Sequence, residues 1–209
     1  SNNRSRIAAP PVISGGTLFF LDADHRVHAV SASDGRRQWT EALRPRGSRD
    51  RVARGGGVAA GDGRVYVATG FGFIAALDAQ TGDEVWRASA SAPFQSAPTF
   101  AGGRVFAITN DSELIALDAR TGEVTWTHQA IAEPARILSA PSVAVEGETV
   151  VAPFASGEVV ALLAGNGRRL WSDSLSRTGR LTSLSAINDI AGRPVLDNGI
   201  VFAASHSGV

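Results

Sequence analysis

Apolar and polar residues alternate along the chain in short runs that are interrupted by turn-forming residues. Four long runs begin at residues 17, 64, 104 and 149 and read TLFFLDADHRVHAV, RVYVATGFGFIAAL, RVFAITNDSELIAL and TVVAPFASGEVVAL. Each has Gly, Asp, Asn, Ser or His at its middle, which is typical of a hairpin between two half-buried strands. A shorter apolar run precedes each pair. The pattern predicts antiparallel β-structure, and helical periodicity is confined to short loop stretches.

The four tryptophans close four similar segments of eleven residues, AVSASDGRRQW, ALDAQTGDEVW, ALDARTGEVTW and ALLAGNGRRLW. Each tryptophan lies 22 residues after the start of its strand pair, with no insertion or deletion in any copy. A glycine four residues before each tryptophan follows Asp, Thr or Asn, which predicts a tight turn with positive φ. The repeated positions are Trp39, Trp86, Trp126 and Trp171, and Gly35, Gly82, Gly122 and Gly167.

Units of four short strands that recur every 40 to 51 residues are typical of the blades of a β-propeller. We predict an all-β chain that forms one partial propeller domain over 1–209, with four complete antiparallel blades and the start of a fifth. The alternative is a solenoid of parallel coils, whose repeats are usually shorter. We expect the tryptophans to pack between blades in equivalent, largely buried sites. The predicted blades span about 10–54, 55–95, 96–138 and 139–192, and the fifth begins within 193–209.

The fifth copy contains only the opening of a repeat. Residues 200–209, IVFAASHSGV, match RVYVATGFGF, and the corresponding tryptophan falls beyond the last residue. An open blade leaves an unpaired edge strand, which invites pairing with another chain. We therefore expect further blades in the parent protein, and we expect this chain alone to aggregate or to pair its edges.

The charge balance and the absence of cysteine disfavour or exclude several kinds of partner and site. Twenty basic residues, all of them Arg, balance twenty acidic ones, which disfavours a nucleic-acid partner. The chain has no Cys, and this excludes disulfides, thiolate ligands, a Cys nucleophile and a lipidated Cys from these residues. No apolar run reaches the roughly 20 residues of a membrane span. The opening SNNRSRIAAPPVISGG lacks a signal-peptide pattern, so an exported parent would have lost its signal or carry it upstream.

Candidate catalytic side chains are few and scattered. His25, His28, His128 and His206 are distant in the sequence, and His25 and His206 fall at hairpin tips, where we expect exposure to solvent. Asp78 and Asp118 occupy the same repeat position, so we expect each to brace its own turn rather than to perform acid–base chemistry. We therefore predict no catalytic residue, no bound cofactor and no metal site.

All variation in length falls in the connections between a tryptophan and the next strand pair, and such loops often carry function. The connection 40–63 contains an arginine cluster that either grips a phosphate or acidic partner or is simply solvated. The connection 172–199 is the longest, and its apolar residues either pack beneath the loop or meet a partner. The cluster consists of Arg44, Arg46, Arg49, Arg51 and Arg54, and the apolar residues are Leu181, Leu184, Ile187 and Ile190.

The segments ALDAQTGDEVW and ALDARTGEVTW resemble the tryptophan-docking motif A-x-D-x-x-T-G-x-x-x-W of the pyrroloquinoline-quinone-type propellers, and the outer two copies keep Ala, Gly and Trp. The resemblance covers residues 10–209 and implies an eight-bladed parent. That family divides into quinone-dependent dehydrogenases and non-enzymatic relatives. The long insertions, calcium site, catalytic Asp and cysteine pair of the enzymes cannot be placed on this chain.

The compact blades resemble the BamB family of the outer-membrane β-barrel assembly machinery, especially in GGGVAAGDGRVYVATGFG (55–72) and INDIAGRPVLDNGIVFAASHSG (187–208). The resemblance implies a non-enzymatic periplasmic scaffold, attached by a lipid anchor to the inner face of the outer membrane in the full-length parent. It also implies that propeller loops bind the barrel-inserting subunit. A fragment of a quinone-dependent dehydrogenase and a propeller interaction or sensor domain of another exported protein remain alternatives. The implied partner-binding residues are Arg180, Leu181, Leu184, Ile187, Asn188, Asp189 and Ile190.

Overall fold

A computed structural model describes residues 9–45, 53, 55–130, 142–174, 194–197 and 200–202. These residues form eighteen strands and no helix, which confirms the predicted all-β class. The described part of the chain accordingly contains no helix with the length and apolarity that crossing a membrane requires.

Each complete blade is an antiparallel sheet of four strands that follow one another in chain order, which confirms the predicted meander. Blade 1 contains β1 (Val12–Ser14), β2 (Thr17–Leu21), β3 (Arg26–Ser31) and β4 (Arg37–Ala42). Blade 2 contains β5 (Gly56–Gly61), β6 (Arg64–Thr69), β7 (Phe73–Asp78) and β8 (Glu84–Ser89). Blade 3 contains β9 (Thr99–Ala101), β10 (Arg104–Ile108), β11 (Glu113–Asp118) and β12 (Val124–Gln129). Blade 4 contains β13 (Ala144–Glu146), β14 (Thr149–Pro153), β15 (Glu158–Leu163) and β16 (Arg169–Ser174).

A fifth sheet has two described strands, β17 (Val195–Asp197) and β18 (Ile200–Phe202), which pair antiparallel. Their register pairs Val195 with Phe202, as Val12 pairs with Phe19 in blade 1. The hairpin is therefore the opening of another blade, and the chain holds four complete blades and part of a fifth, as predicted.

The fourth strand of each blade carries the tryptophan, and its register explains the Ala that opens every eleven-residue segment. Ala29 lies directly across from Trp39, and the equivalent Ala faces the tryptophan in the other three blades. A register shift follows immediately after this pair in all four sheets. The small Ala leaves room for the indole ring to lie across the sheet. The register shift changes the direction of the fourth strand near its first residue.

The hydrophobic core lies between the blades. Phe19 and Leu21 of blade 1 pack with Val65 and Val67 of blade 2 in one cluster, and similar clusters join blades 2 and 3, blades 3 and 4, and blade 4 and the fifth hairpin. A strand between two neighbours buries side chains on both faces. This burial explains why β6 and β7 are apolar at nearly every position rather than strictly alternating.

Candidate functional site

Each of the first three tryptophans fits into a seat on the following blade. The ring of Trp86 lies against Gly122, where an added Cβ would approach Cδ2 and Cε3 of the indole to 2.6 Å. The indole N–H of Trp86 donates a hydrogen bond to the carbonyl oxygen of Ala119 at 2.9 Å. Only a residue without a side chain leaves space for this approach. Trp39 uses Gly82 and the Ala79 carbonyl, and Trp126 uses Gly167 and the Ala164 carbonyl.

The fourth tryptophan has a different environment. Trp39, Trp86 and Trp126 are half-buried, whereas Trp171 is 41% exposed. The prediction of four equivalent, largely buried sites is therefore wrong for Trp171, because burial of the ring depends on the turn of a following blade. At the opposite end, the seat on blade 1 is open: among the described residues, no atom lies within 4 Å of a Cβ built on Gly35.

Asp78 and Asp118 brace the turns that form these seats, as predicted. One oxygen of Asp118 accepts hydrogen bonds from the backbone N–H groups of Thr121 and Arg120 at 2.8 and 2.9 Å. Asp78 accepts the equivalent bonds from Thr81 and Gln80. The bonds from Thr81 and Thr121 are the main cause of the lowered pKa of both carboxyl groups. Each Asp therefore stays ionised and serves its own turn.

The predicted exposure of His25 is wrong. His25 is 2% exposed, adopts φ of 55°, and its ring centroid lies 4.5 Å from that of Phe71 on blade 2. Burial lowers the pKa of His25, and the Ala53 backbone and the carboxylates of Asp22 and Asp24 partly oppose this effect. The hairpin tip faces a neighbouring blade rather than solvent, and alternation within one blade does not reveal such a neighbour.

The remaining predicted histidines differ in their settings. His128 is partly exposed, and its pKa is lowered by burial, with Glu158 opposing and Arg169 reinforcing the shift. His206 lies outside the described residues.

Blade 1 carries a hydrogen-bonded chain of polar side chains that the sequence analysis did not identify. Nε2 of His28 lies 2.9 Å from Oδ2 of Asp22, and Nδ1 lies 3.1 Å from the hydroxyl of Thr40. Asp22 is 2% exposed and also accepts backbone N–H bonds from Asp24 and Arg26. The chain fixes the orientation of the imidazole, which stacks on Phe20. A comparison of repeats provides the missed signal, because blades 2, 3 and 4 have Ala75, Ile115 and Val160 in place of His28.

A cleft of about 520 Å³ opens where the innermost strands of blades 1, 2 and 3 converge. Val12, Val58 and Phe100 contribute apolar surface, and Gln95 and Ser142 contribute polar groups. None of the described residues that line the cleft is charged. The surface can hold neutral groups by packing and hydrogen bonding, and these lining residues supply no side chain for acid–base chemistry at neutral pH.

The predicted partner-binding residues, Arg180 to Ile190, lie outside the described residues, as do Arg46, Arg49, Arg51 and Arg54 of the arginine cluster. Arg44 is exposed, and its carbonyl oxygen accepts a hydrogen bond from Arg87 at 2.6 Å, which ties the end of blade 1 to blade 2. Among the described residues, no three His, Asp or Glu side chains are grouped to hold a metal ion. The roles predicted for the arginine cluster and for residues 180–190 remain predictions.

A family model described as the outer membrane protein assembly factor BamB matches residues 2–55 and 46–209. The BamB of Escherichia coli is 34% identical over 95% of this chain, and that of Xanthomonas campestris is 36% identical over 93% of it. The aligned regions cover 51% and 49% of those two proteins. The chain therefore spans about half the length of the curated relatives it matches.

Solved structures show the same architecture. The crystal structure of BamB from Moraxella catarrhalis superimposes with a TM-score of 0.83 at 22% identity, over 96% of this chain and 59% of that one. A quinohemoprotein alcohol dehydrogenase from Comamonas testosteroni superimposes with a TM-score of 0.67 at 20% identity, over 96% of this chain and 40% of that one. At these identities the likeness establishes the propeller fold alone.

Proposed function

Because the chain belongs to the family of the outer membrane protein assembly factor BamB, we propose that it serves outer-membrane protein assembly as a non-enzymatic propeller scaffold. Its place in the cell is the periplasm, attached to the inner face of the outer membrane through the lipid anchor of a full-length parent. The observation that carries the proposal is the family match, which runs over nearly the whole chain and includes every described blade.

The way the blades are built supports binding through loops. The strand faces of blades 2 and 3 are used in packing against neighbouring blades on both sides. A partner therefore meets mainly the turns and connections at the ends of the strands. Among the connections, 172–199 is the longest and contains a mixture of apolar and polar residues.

The partner in this proposal is a periplasmic domain of the barrel-inserting subunit. Leu184 and Ile187 supply apolar anchors, and Arg180, Asn188 and Asp189 supply polar contacts around them. Leu181 and Ile190 extend the apolar surface. The formal net charge of zero favours recognition by shape and local polarity over long-range electrostatic steering. No covalent step is required.

A binding experiment tests this proposal. The double variant Leu184→Asp with Ile187→Asp should weaken binding to the isolated periplasmic region of the barrel-inserting subunit at least tenfold, measured by isothermal titration calorimetry, and leave the melting temperature unchanged. The matched control is Val85→Asp with Val124→Asp, since both valines are about half exposed on outer strands. The control should bind like the unmodified chain.

Two results would contradict the proposal. Full binding by a folded Leu184/Ile187 variant would remove this loop from the interface, whereas a loss of thermal stability would show that the two residues pack beneath their own loop. The dehydrogenase alternative is tested separately by adding the quinone and calcium and measuring dye reduction. Turnover in this assay would contradict the scaffold proposal and support the dehydrogenase alternative.

A further inference from the structure

The turn between β15 and β16 contains Asn166 followed by Gly167, a pair that is chemically unlike its counterparts in the other blades. The residues that precede the turn glycine in blades 1, 2 and 3 are Asp34, Thr81 and Thr121. When Asn precedes Gly, the backbone nitrogen of the glycine can attack the side-chain amide carbon, because glycine has no side chain to hinder the approach. Threonine offers no carbonyl carbon, and an ionised aspartate resists such an attack. Asn166 is exposed, so water reaches it.

The contacts of the folded chain hold this pair in place. The backbone N–H of Gly167 donates a hydrogen bond to the carbonyl oxygen of Leu163 at 2.8 Å. The side-chain oxygen of Asn166 accepts a hydrogen bond from the backbone N–H of Arg168 at 3.0 Å. The ring of Trp126 lies against Gly167, where an added Cβ would approach Cε3 of the indole to 2.7 Å. The nitrogen that would attack is therefore engaged by a hydrogen bond, and its residue is covered by the indole of the preceding blade.

We propose that Asn166 is a site of spontaneous deamidation and that the docking of Trp126 on its turn controls the rate. While the indole is seated, the N–H of Gly167 stays on the Leu163 carbonyl and the reaction is slow. When the junction of blades 3 and 4 opens locally, the turn gains the freedom to bring the Gly167 nitrogen against the amide carbon of Asn166. The extent of modification therefore records how often this junction opens.

The reaction needs only water as a co-reactant, and no atom is oxidised or reduced. The backbone nitrogen of Gly167 loses its proton to hydroxide and forms a bond to Cγ of Asn166. The bond between Cγ and Nδ2 breaks, and the departing nitrogen takes a proton from water, which regenerates the hydroxide, and leaves as ammonia. Water then opens the five-membered imide. Breaking the bond from the Gly167 nitrogen to Cγ gives aspartate, and breaking its bond to the backbone carbonyl carbon gives isoaspartate.

Either product alters the turn that carries the seat. Both introduce a carboxylate that is ionised at neutral pH, into a chain whose formal net charge is zero. Isoaspartate also adds a carbon atom to the backbone immediately before Gly167. The added atom shifts this glycine relative to the Ala164 carbonyl, which accepts the indole N–H of Trp126 at 2.9 Å. The modified turn therefore fits the indole less well, and the junction of blades 3 and 4 is weakened.

Peptide mapping by mass spectrometry after incubation at pH 8 measures the acid formed at position 166 and resolves it from Asn198, the other asparagine that precedes a glycine. Deamidation at Asn166 should be at least about tenfold faster in urea than in the folded chain, because the unfolded turn has no seat. Trp126→Ala, with its fold checked by circular dichroism, should accelerate the reaction in the absence of urea by about tenfold. If this variant does not fold, Trp126→Phe, which keeps a ring but lacks the indole N–H, should give a smaller increase. Asn166→Thr, the residue of blades 2 and 3, should abolish the signal.

The matched control is Trp39→Ala, which removes the equivalent indole at the junction of blades 1 and 2. This variant is destabilised in the same way but keeps the seat on blade 4, so its rate at Asn166 should equal that of the unmodified chain. Equal rates in the folded chain and in urea would overturn the proposal, as would an unchanged rate in the folded Trp126 variant. Equal acceleration by Trp39→Ala would also overturn it, because the rate would then follow global stability rather than the seat.

Discussion

At the scale of single residues, the contact between blades changes the chemistry of His25. The ring is buried against Phe71, and burial lowers its pKa because the charged form loses hydration. The backbone has φ of 55° there, and blades 2 and 4 place Gly72 and Gly157 at the same point of the hairpin with positive φ. A titratable side chain therefore occupies a backbone position that suits glycine.

This setting predicts a dependence of stability on pH. The unfolded chain binds a proton at His25 with an ordinary pKa of about 6.5, whereas the folded chain binds it only at lower pH. The free energy of unfolding should therefore fall as the pH drops from about 6.5 through the lowered pKa of the folded state. His25→Gly, which matches blades 2 and 4, removes this contribution. Thermal melts between pH 8 and pH 5 should show a smaller loss of stability for the variant, and identical pH profiles would contradict the prediction.

At the scale of elements, the turn between the third and fourth strands serves both as a turn and as a docking seat. Gly35 and Gly122 have the same backbone geometry, with φ of 71° and 77°. They differ in their surroundings, because Gly122 lies against Trp86 whereas the space beside Gly35 is open. The two glycines therefore allow the cost of backbone strain to be separated from the cost of the contact.

We expect Gly35→Ala to lower the free energy of unfolding by about 1 kcal/mol, because the left-handed backbone disfavours a Cβ. Gly122→Ala should cost about 3 kcal/mol, because the new methyl group also overpacks against the indole ring. Urea unfolding of both variants measures the difference. Equal losses would mean that the seat is loose enough to accept a methyl group and that backbone strain alone requires the glycine.

At the scale of the whole molecule, the blades form a row in which each described core cluster joins only adjacent blades. In such stacks, stability is close to a sum of contributions from each unit and from each contact between neighbours. The tryptophans therefore differ in importance by position. Trp86 joins blades 2 and 3, whereas Trp171 has no described blade beyond it that offers a turn seat.

Truncating tryptophans at the two positions should show this difference. We expect Trp86→Ala to lower the free energy of unfolding by about 3 kcal/mol, because it empties the seat on Gly122 and removes the indole hydrogen bond to the Ala119 carbonyl, which keeps its bond from Arg64. Trp171→Ala should cost less than about 1 kcal/mol, as is usual for an exposed side chain. Denaturant unfolding at low protein concentration compares them, and equal costs would show that Trp171 is seated in solution.

The fold was predictable from sequence because its signals are local. Alternation, turn glycines and the constant spacing to each tryptophan all act within one blade, and the structure confirms the four-stranded blades that they predict. The burial of His25 and the exposure of Trp171 depend on which blade lies alongside, whereas the polar chain around His28 lies within blade 1 and departs from the repeat. Contacts between blades join residues far apart in sequence, and spacing within one repeat carries no record of them.

The tryptophan seats repeat with nearly the same geometry at three junctions, and this bears on how the order of the blades is encoded. At these three junctions a glycine and an Ala carbonyl meet an indole in the same way, so this contact holds little information about which blade belongs next to which. Differences between junctions lie instead in the connections, whose lengths differ while the blades keep theirs, and in contacts particular to one junction, such as His25 on Phe71. We therefore expect a chain with exchanged blades to keep its tryptophan contacts and to lose those particular contacts. In this architecture the tryptophan seats allow the blades to stack in any order, and the connections together with the junction-specific contacts determine which order forms.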